Sequence, residues 1–346
     1  MSLLFHQTND QLPEGVRLPV PPPAGFNPLK ASNEDLIKHG LPPKPTRDES
    51  PESFVWWEKL CSSAGSYVTP GFMPLPARES KVDPDTGDEI HHGWSGAVID
   101  ASKDYKFNSV RGSWTVSRPH PDNWAWQERY WESGHFAAGT WVGMDGSKAP
   151  HGQGSRDVLQ AGIGHRCVVS THQDTGYSIH PWWEWYPEHP WTITGFQVAT
   201  GDLVGVNITA SSSTEARIVF VNFSACTYTS FDVTAPRNVE LKGNCAEWIV
   251  EAHPSDDGRP AMSYLGATFF FNCGATEVAT TQDSLSWLGG SKCRDLRGAR
   301  FLEVKQGGQV LSVASHELSN DVVLGVVAER RVHKTDITYV PPPRQQ

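Results

Sequence analysis

No two of the six cysteines stand as a CxxC pair, which argues against a zinc ribbon or a thioredoxin-like dithiol. No HExxH occurs, so a helix-borne zinc site of the metallopeptidase kind has no candidate. No GxSxG is present, so no serine stands on a strand-to-helix elbow. No apolar run is long enough to span a bilayer. The opening stretch MSLLFHQTNDQLPEG has neither a basic nor an apolar block of the secretory kind, and no signal peptide is expected there. Positive charge is also scarce. Lys and Arg number 29 against 39 Asp and Glu, a net −10, with a pI near 5.8. Such a chain is not expected to bind nucleic acid or an anionic membrane surface.

What is plentiful is Trp, Gly and Pro, at 14, 31 and 26 in 346 residues. Tryptophan serves cores and peptide or carbohydrate clefts equally well, so its count settles nothing by itself. Many short apolar runs between Gly and Pro point to a β-rich fold with many turns. Residues 1–50 are Pro-rich (LPVPPPAGF, HGLPPKPTRDESPES) and read as an arm that drapes over the molecule or stays loose. Within it NEDLIKHG predicts one short helix with Asn33 as its cap. SFVWWEKLCSSA, residues 53–64, has helical apolar spacing, and residues 65–92 read as loop.

From Trp94 onward about a dozen short alternating segments follow, with no convincing long helix. That texture predicts an antiparallel β-sandwich. The organisation expected is an N-terminal arm over 1–90, a β-sandwich over 91–330 and a disordered tail over 331–346. The sequons at Asn207 and Asn222 sit in strand-like runs and read as chance occurrences.

Alternation puts polar residues on shared faces of these strands. In TWVGMDG, Trp141, Gly143 and Asp145 share a face. In DVLQAG, Gln160 stands with Val158 and Gly162. In WWEWYPE, Trp182, Glu184 and Tyr186 lie opposite Trp183 and Trp185. In AEWIVE, Glu247, Ile249 and Glu251 lie together. On one strand alone this is an ordinary solvent-facing surface. Four such strands with large aromatics beside carboxylates predict a binding cleft.

The ordered series WVGMDG, LQAG, WWEWYPE and AEWIVE, preceded by HGWSGAVID, resembles the glutamic peptidases, the eqolisin or G1 peptidase family. The resemblance covers roughly residues 94–327. It implies an all-β, concanavalin A-like (lectin-like) sandwich and an endopeptidase that acts at acid pH. By motif match it implies a catalytic pair of Gln160 and Glu251. Trp141, Asp145, Trp182, Glu184 and Tyr186 then line the substrate cleft, and Glu247 is at most a supporting acid. It implies an extended polypeptide as substrate, no metal and no other cofactor, and a monomer. Two departures stand out. His180 takes a position where secreted members usually have an acid, and DGSKAPHGQG lacks the cysteine that members pair in a disulfide near this point. The arm carries 13 acids against 8 bases over residues 1–90, unlike the basic inhibitory prosegments of the family, so it reads as either a propeptide or an uncleaved extension.

Other readings are open to the same residues. DTG occurs twice, at 85–87 and 174–176, but polar neighbours make both read as turns and not as an aspartic-peptidase pair. His165, Cys167 and His172 have zinc-ligand chemistry, with ordinary strand histidines the better reading. A non-catalytic lectin-like module fits the fold equally. A glycosidase would need two facing carboxylates, such as Glu184 with Glu251.

Overall fold

The computed structural model describes residues 12–48, 51–75, 93–120, 134–147, 157–170, 173–252, 262–280, 292–306 and 309–328. The expected tail at 331–346, the first DTG and His172 lie outside the described residues. Helical pieces come first: a single 3-10 turn at Pro28–Lys30, then α1 (Asn33–Lys38) and α2 (Pro51–Ser63). Seventeen strands are present among the described residues. They are β1 (Ser66–Tyr67), β2 (Gly71–Pro74), β3 (Trp94–Asp100), β4 (Tyr105–Thr115), β5 (Gly134–Met144), β6 (Leu159–Ser170), β7 (Gln173–Trp185), β8 (Trp191–Thr194) and β9 (Leu203–Ala210). They continue as β10 (Glu215–Asn222), β11 (Thr227–Thr234), β12 (Cys245–Ala252), β13 (Ala267–Ala279), β14 (Lys292–Arg294), β15 (Arg300–Gln306), β16 (Gln309–Ser315) and β17 (Val323–Ala328).

Two sheets share β15. The front sheet runs β2-β8-β7-β6-β5-β12-β3-β15, antiparallel at every step. The first half of β15 pairs with β3 and its second half with β16. From β16 the back sheet continues β17-β13-β4-β9-β10-β11-β1, antiparallel except for the last pair. A strand that switches sheets forms a corner between two packed layers.

The core lies between the layers because alternation sends every second side chain inward. Val142, Ile163, Trp183 and Trp248 of the front sheet belong to one cluster with Val110, Val206, Phe220 and Phe270 of the back sheet. The Trp248 indole donates to the carbonyl of Arg111 at 2.8 Å, which satisfies its one polar group in the core. Gly112 makes room for that ring, since a Cβ there would stand 3.0 Å from it. Each fully buried large apolar side chain stabilises the layers by about 1.5–3 kcal/mol.

The described part of the arm is docked on the back sheet. Leu36, Leu41, Trp56, Trp57 and Leu60 pack on Val219, Val221 and Tyr228, the outer side of β10 and β11. Arg217 grips Asp232 through two nitrogens and the carbonyl of Ile37 through a third. The Tyr228 hydroxyl donates to His39 O at 3.1 Å. Two local expectations are corrected. Ser32, not Asn33, caps α1: its hydroxyl accepts from the Asp35 amide, and Asn33 is spent accepting from Lys44 N. Residues 65–92 are also not all loop, because β1 and β2 each find a sheet edge to pair with. The second DTG lies inside β7, beside a register shift opposite Val168 and Val169, and does not form a free turn.

Candidate active site

The outer face of the front sheet collects the side chains that do not enter the core. Trp141, Trp182, Cys245 and Ile249 form a cluster there with Trp94, Val98 and Val158, and Tyr186 packs against it half-buried. Cross-strand register arranges this face in rows. The first row reads Glu184, Gln160, Gly143, Glu247 across β7, β6, β5 and β12. The second reads Trp182, Gly162, Trp141, Ile249, and the third His180, Gly164, Gly139, Glu251.

The first row holds the unusual chemistry. The Gln160 amide nitrogen donates to Glu184 Oε2 at 2.6 Å, which fixes the orientation of the amide. The Cys245 thiol donates to Glu247 Oε2 at 3.3 Å. Gln160 Oε1 and Glu247 Oε1 are both buried, and neither has a hydrogen-bond partner among the described residues. Buried acceptors without donors are uncommon and costly, so each needs a reason. Between the two stands Gly143. A Cβ there would lie 2.9 Å from the Trp141 ring and 3.2 Å from Gln160 Cβ, so only glycine keeps the gap open. Two strand spacings separate Gln160 from Glu247, about 10 Å between Cα atoms. Side chains of this length on one face then reach a common small molecule.

Electrostatics mark Glu247 further. It is fully buried. Burial pushes its carboxyl well above the ordinary carboxylate range. The Cys245 thiol opposes the rise, the charge of Asp145 adds to it, Arg300 opposes it and Asp100 adds to it. A carboxyl in this position favours its protonated form.

Glu251 lies in the third row, four residues along β12 from Glu247. Its Oε2 accepts from the Trp141 indole at 3.0 Å, and Trp141 stands on β5, the strand between β12 and the Gln160 strand β6.

Asp145 also departs from the cleft-lining expectation. It is fully buried, and its oxygens accept from the amides of Lys242, Gly243 and Asn244 at 2.7, 2.9 and 2.7 Å. It anchors the turn that delivers the start of β12. Burial nevertheless pushes its carboxyl up to about 6 against those three donors. Trp141, Trp182 and Glu184 share the outer face as alternation predicts. His180 lies with its ring over Gly164, and burial with nearby Arg166 lowers it to about 4. His165 is turned away from this face, between Thr140 Oγ1 and Ser117 O.

Sequence reasoning assigned no task to Gly143 or Cys245. The alternation of AEWIVE put Glu247 on the correct face, as a supporting acid. Its depth within the strand was the available signal for its burial, since it stands between Cys245 and Ile249 on that face while Glu251 ends the run.

Residues 92–325 match the family model described as the Peptidase A4 family. Aspergillopepsin-2 of Aspergillus niger is 26% identical over 270 residues, which span 74% of this chain and 86% of that protein. Scytalidopepsin B of Scytalidium lignicola is 27% identical over 222 residues, 62% of this chain and 71% of that protein. Among solved structures, scytalido-glutamic peptidase with a transition state analog inhibitor superposes with a TM-score of 0.50 at 19% identity. That match covers 68% of this chain and 98% of the other, and it concerns the fold alone.

Proposed function

Because the chain belongs to the Peptidase A4 family, the glutamic peptidases, and is a hydrolase of peptide bonds, we propose how its own residues carry out the reaction. A polypeptide lies extended over the front sheet. Glu251 is the general base and acid, and Gln160 orients the water and stabilises the oxyanion. The observation that carries this reading is that both stand on the outer face of the front sheet, flanking β5, with Glu251 Oε2 on the Trp141 indole and Gln160 Oε1 buried and open.

Ionised Glu251 takes one proton from a water, and Gln160 Oε1 accepts the other hydrogen as a bond without removing it. The water oxygen attacks the scissile carbonyl carbon. The second N–H of Gln160 donates to the oxyanion that forms, while the first stays on Glu184. Glu251 then delivers its proton to the departing amine, and the C–N bond breaks. The scheme calls for no metal and no organic cofactor. Trp141, Trp182 and Tyr186 wall the path of the substrate. Glu184 orients Gln160, and Glu247 supports the first row from within the sheet. The Trp141 indole, which donates to Glu251, favours its ionised form and so a base that works at acid pH.

The test is digestion of denatured haemoglobin or casein between pH 2 and 7, with and without pepstatin. Pepstatin-insensitive cleavage is expected. Glu251→Gln should lower kcat by about 10³ or more, and Gln160→Ala by about 10²–10³, the cost of one oxyanion donor. Wild-type activity in folded Glu251→Gln rejects the assignment.

A further inference from the structure

We propose that Arg166 and His180 form a subsite for a carboxylate of the polypeptide substrate, carried by an acidic side chain or by a chain end two to four residues from the scissile bond. The inference deepens the peptidase reading and rests on it for the place where the bond is cut, beside Glu251.

On β6, alternation puts Gln160, Gly162, Gly164 and Arg166 on the outer face, and the pairing with β7 runs without a shift from Leu159 to Val168. Arg166 therefore opens a fourth row, Ser178, Arg166, Ala137, one step beyond the row of Glu251. β12 ends at Ala252, level with Ala138, so Arg166 stands past the last acid of that strand. Arg166 is exposed and His180 half-buried. The His180 ring lies over Gly164, where a Cβ would stand 2.5 Å from its Nε2. Only glycine lets the imidazole come down against the sheet there. The ring walls this end of the cleft, close enough to Arg166 for the guanidinium charge to be felt on it.

A guanidinium keeps its charge at every working pH, and its planar fork meets a carboxylate through two parallel hydrogen bonds. The His180 imidazole adds a ring N–H, and it is neutral above about 4. The neighbouring cation Arg118 stacks on the Tyr177 ring, at a strand position that points to the opposite face. Glu251 lies two strands across, so it repels a carboxylate at the point of cleavage more than one held at the fourth row. Between Cα atoms, Arg166 and Glu251 are separated by about 10 Å across the strands and about 7 Å along them. An extended substrate advances about 3.3 Å per residue. A carboxylate on Arg166 therefore belongs to a residue two to four positions from the bond that Glu251 attends. The chain's net charge of −10 opposes acidic substrates at long range, so the preference comes from binding at this row and not from steering.

The probes are fluorogenic peptides, acetylated and amidated at their ends, that differ by Glu or Gln at a single position on either side of the cleaved bond. They are compared at about pH 5, where the glutamate is ionised. A second set with a free C-terminal carboxylate separates the chain end from the side chain as the source. In wild type, Glu at one position two to four residues from the bond should raise kcat/KM about five- to tenfold over Gln. The gain should lie in KM, because the contact is made equally before and during the reaction. In Arg166→Gln the Glu-to-Gln ratio should fall to about one, and in His180→Ala it should roughly halve. Arg166→Glu should prefer a Lys peptide to a Gln peptide at the same position, a reversal that damaged folding does not produce. A gain confined to the free-acid peptides, lost in Arg166→Gln, assigns the same contact to a chain end. A ratio near one at every position in both sets overturns the proposal, and so does a Glu preference that survives in folded Arg166→Gln. Glu251→Gln separates this inference from its premise. An active Glu251→Gln rejects the catalytic reading, whereas an inactive one beside an unmoved ratio in Arg166→Gln rejects the subsite alone.

Discussion

The first and third rows of the front sheet are built from the same parts. Each sets an acid of β12 beside a glycine of β5, with a polar side chain of β6 or β7 beyond. Their acids nevertheless differ in kind. Glu247 lies in mid-strand, fully buried, with a weak thiol donor on one oxygen and none on the other among the described residues. Glu251 lies at the end of the strand, half-buried, with an indole N–H on its carboxylate. A deeply buried acid with an open oxygen is expensive to keep and favours its neutral form. An acid at the rim with an indole donor favours its ionised form and stays within reach of a substrate. Residue type is the same in both rows, and depth and partner make the difference.

The contrast breaks most sharply at Gly143. Its replacement by Ala puts a methyl group into the gap between Gln160 and Glu247, against Trp141 and Gln160 Cβ. Displacement of a reacting group by a fraction of an ångström to 1 Å is enough to cost about 10²-fold in rate. Gly143→Ala is therefore expected to lower kcat by about 10² with KM within a few-fold, in a protein whose melting curve remains cooperative. A kcat near wild type would show that nothing reactive passes over this glycine.

The second test is stability against pH. Asp145 titrates near 3.8 when unfolded and at about 6 when folded. Below the first value both states are protonated, and the group changes nothing. Between about 4 and 6 the unfolded chain releases its proton while the folded one keeps it. Stability is thus lost as pH rises through that window, by about 3 kcal/mol for a shift of this size. Glu247, also raised, adds in the same direction. The melting temperature should fall by several degrees from pH 4 to pH 7, and Asp145→Asn should flatten the fall. A melting temperature that rises over this range contradicts the burial of these acids without full compensation.

Much of this could be read from the chain. Period-two alternation in WWEWYPE separates Trp182 and Glu184 from Trp183 and Trp185 correctly, because one face of each strand is core and the other is not. The arm's α2 is legible from its helical spacing. Register is not. Gln160 and Glu247 are 87 positions apart, and their meeting depends on how β5 pairs with both β6 and β12. A slip of four residues on β12 keeps every side chain on its face but brings the other acid opposite Gly143. Nothing within AEWIVE alone encodes that choice, so the motif does not say which of its acids stands level with Gln160. Asp145 is misplaced for a related reason. Alternation gives its face, while the three amides it accepts from belong to a turn about a hundred positions later.

The smallest expected effect lies at Glu247. Glu247→Gln preserves shape and retains an acceptor for the Cys245 thiol, and burial already holds the native carboxyl well above its ordinary range, so the neutral amide replaces a group that favours its neutral form. The T-shaped contact of Trp94 with Trp141, centroids 4.8 Å apart, should persist beside it. On a fluorogenic peptide at acid pH, kcat and KM should each stay within about fivefold of wild type in a protein that melts cooperatively. If instead folded Glu247→Gln turned over a thousandfold more slowly while Glu251→Gln did not, the order of the two rows would reverse and the acid–base role would pass to Glu247.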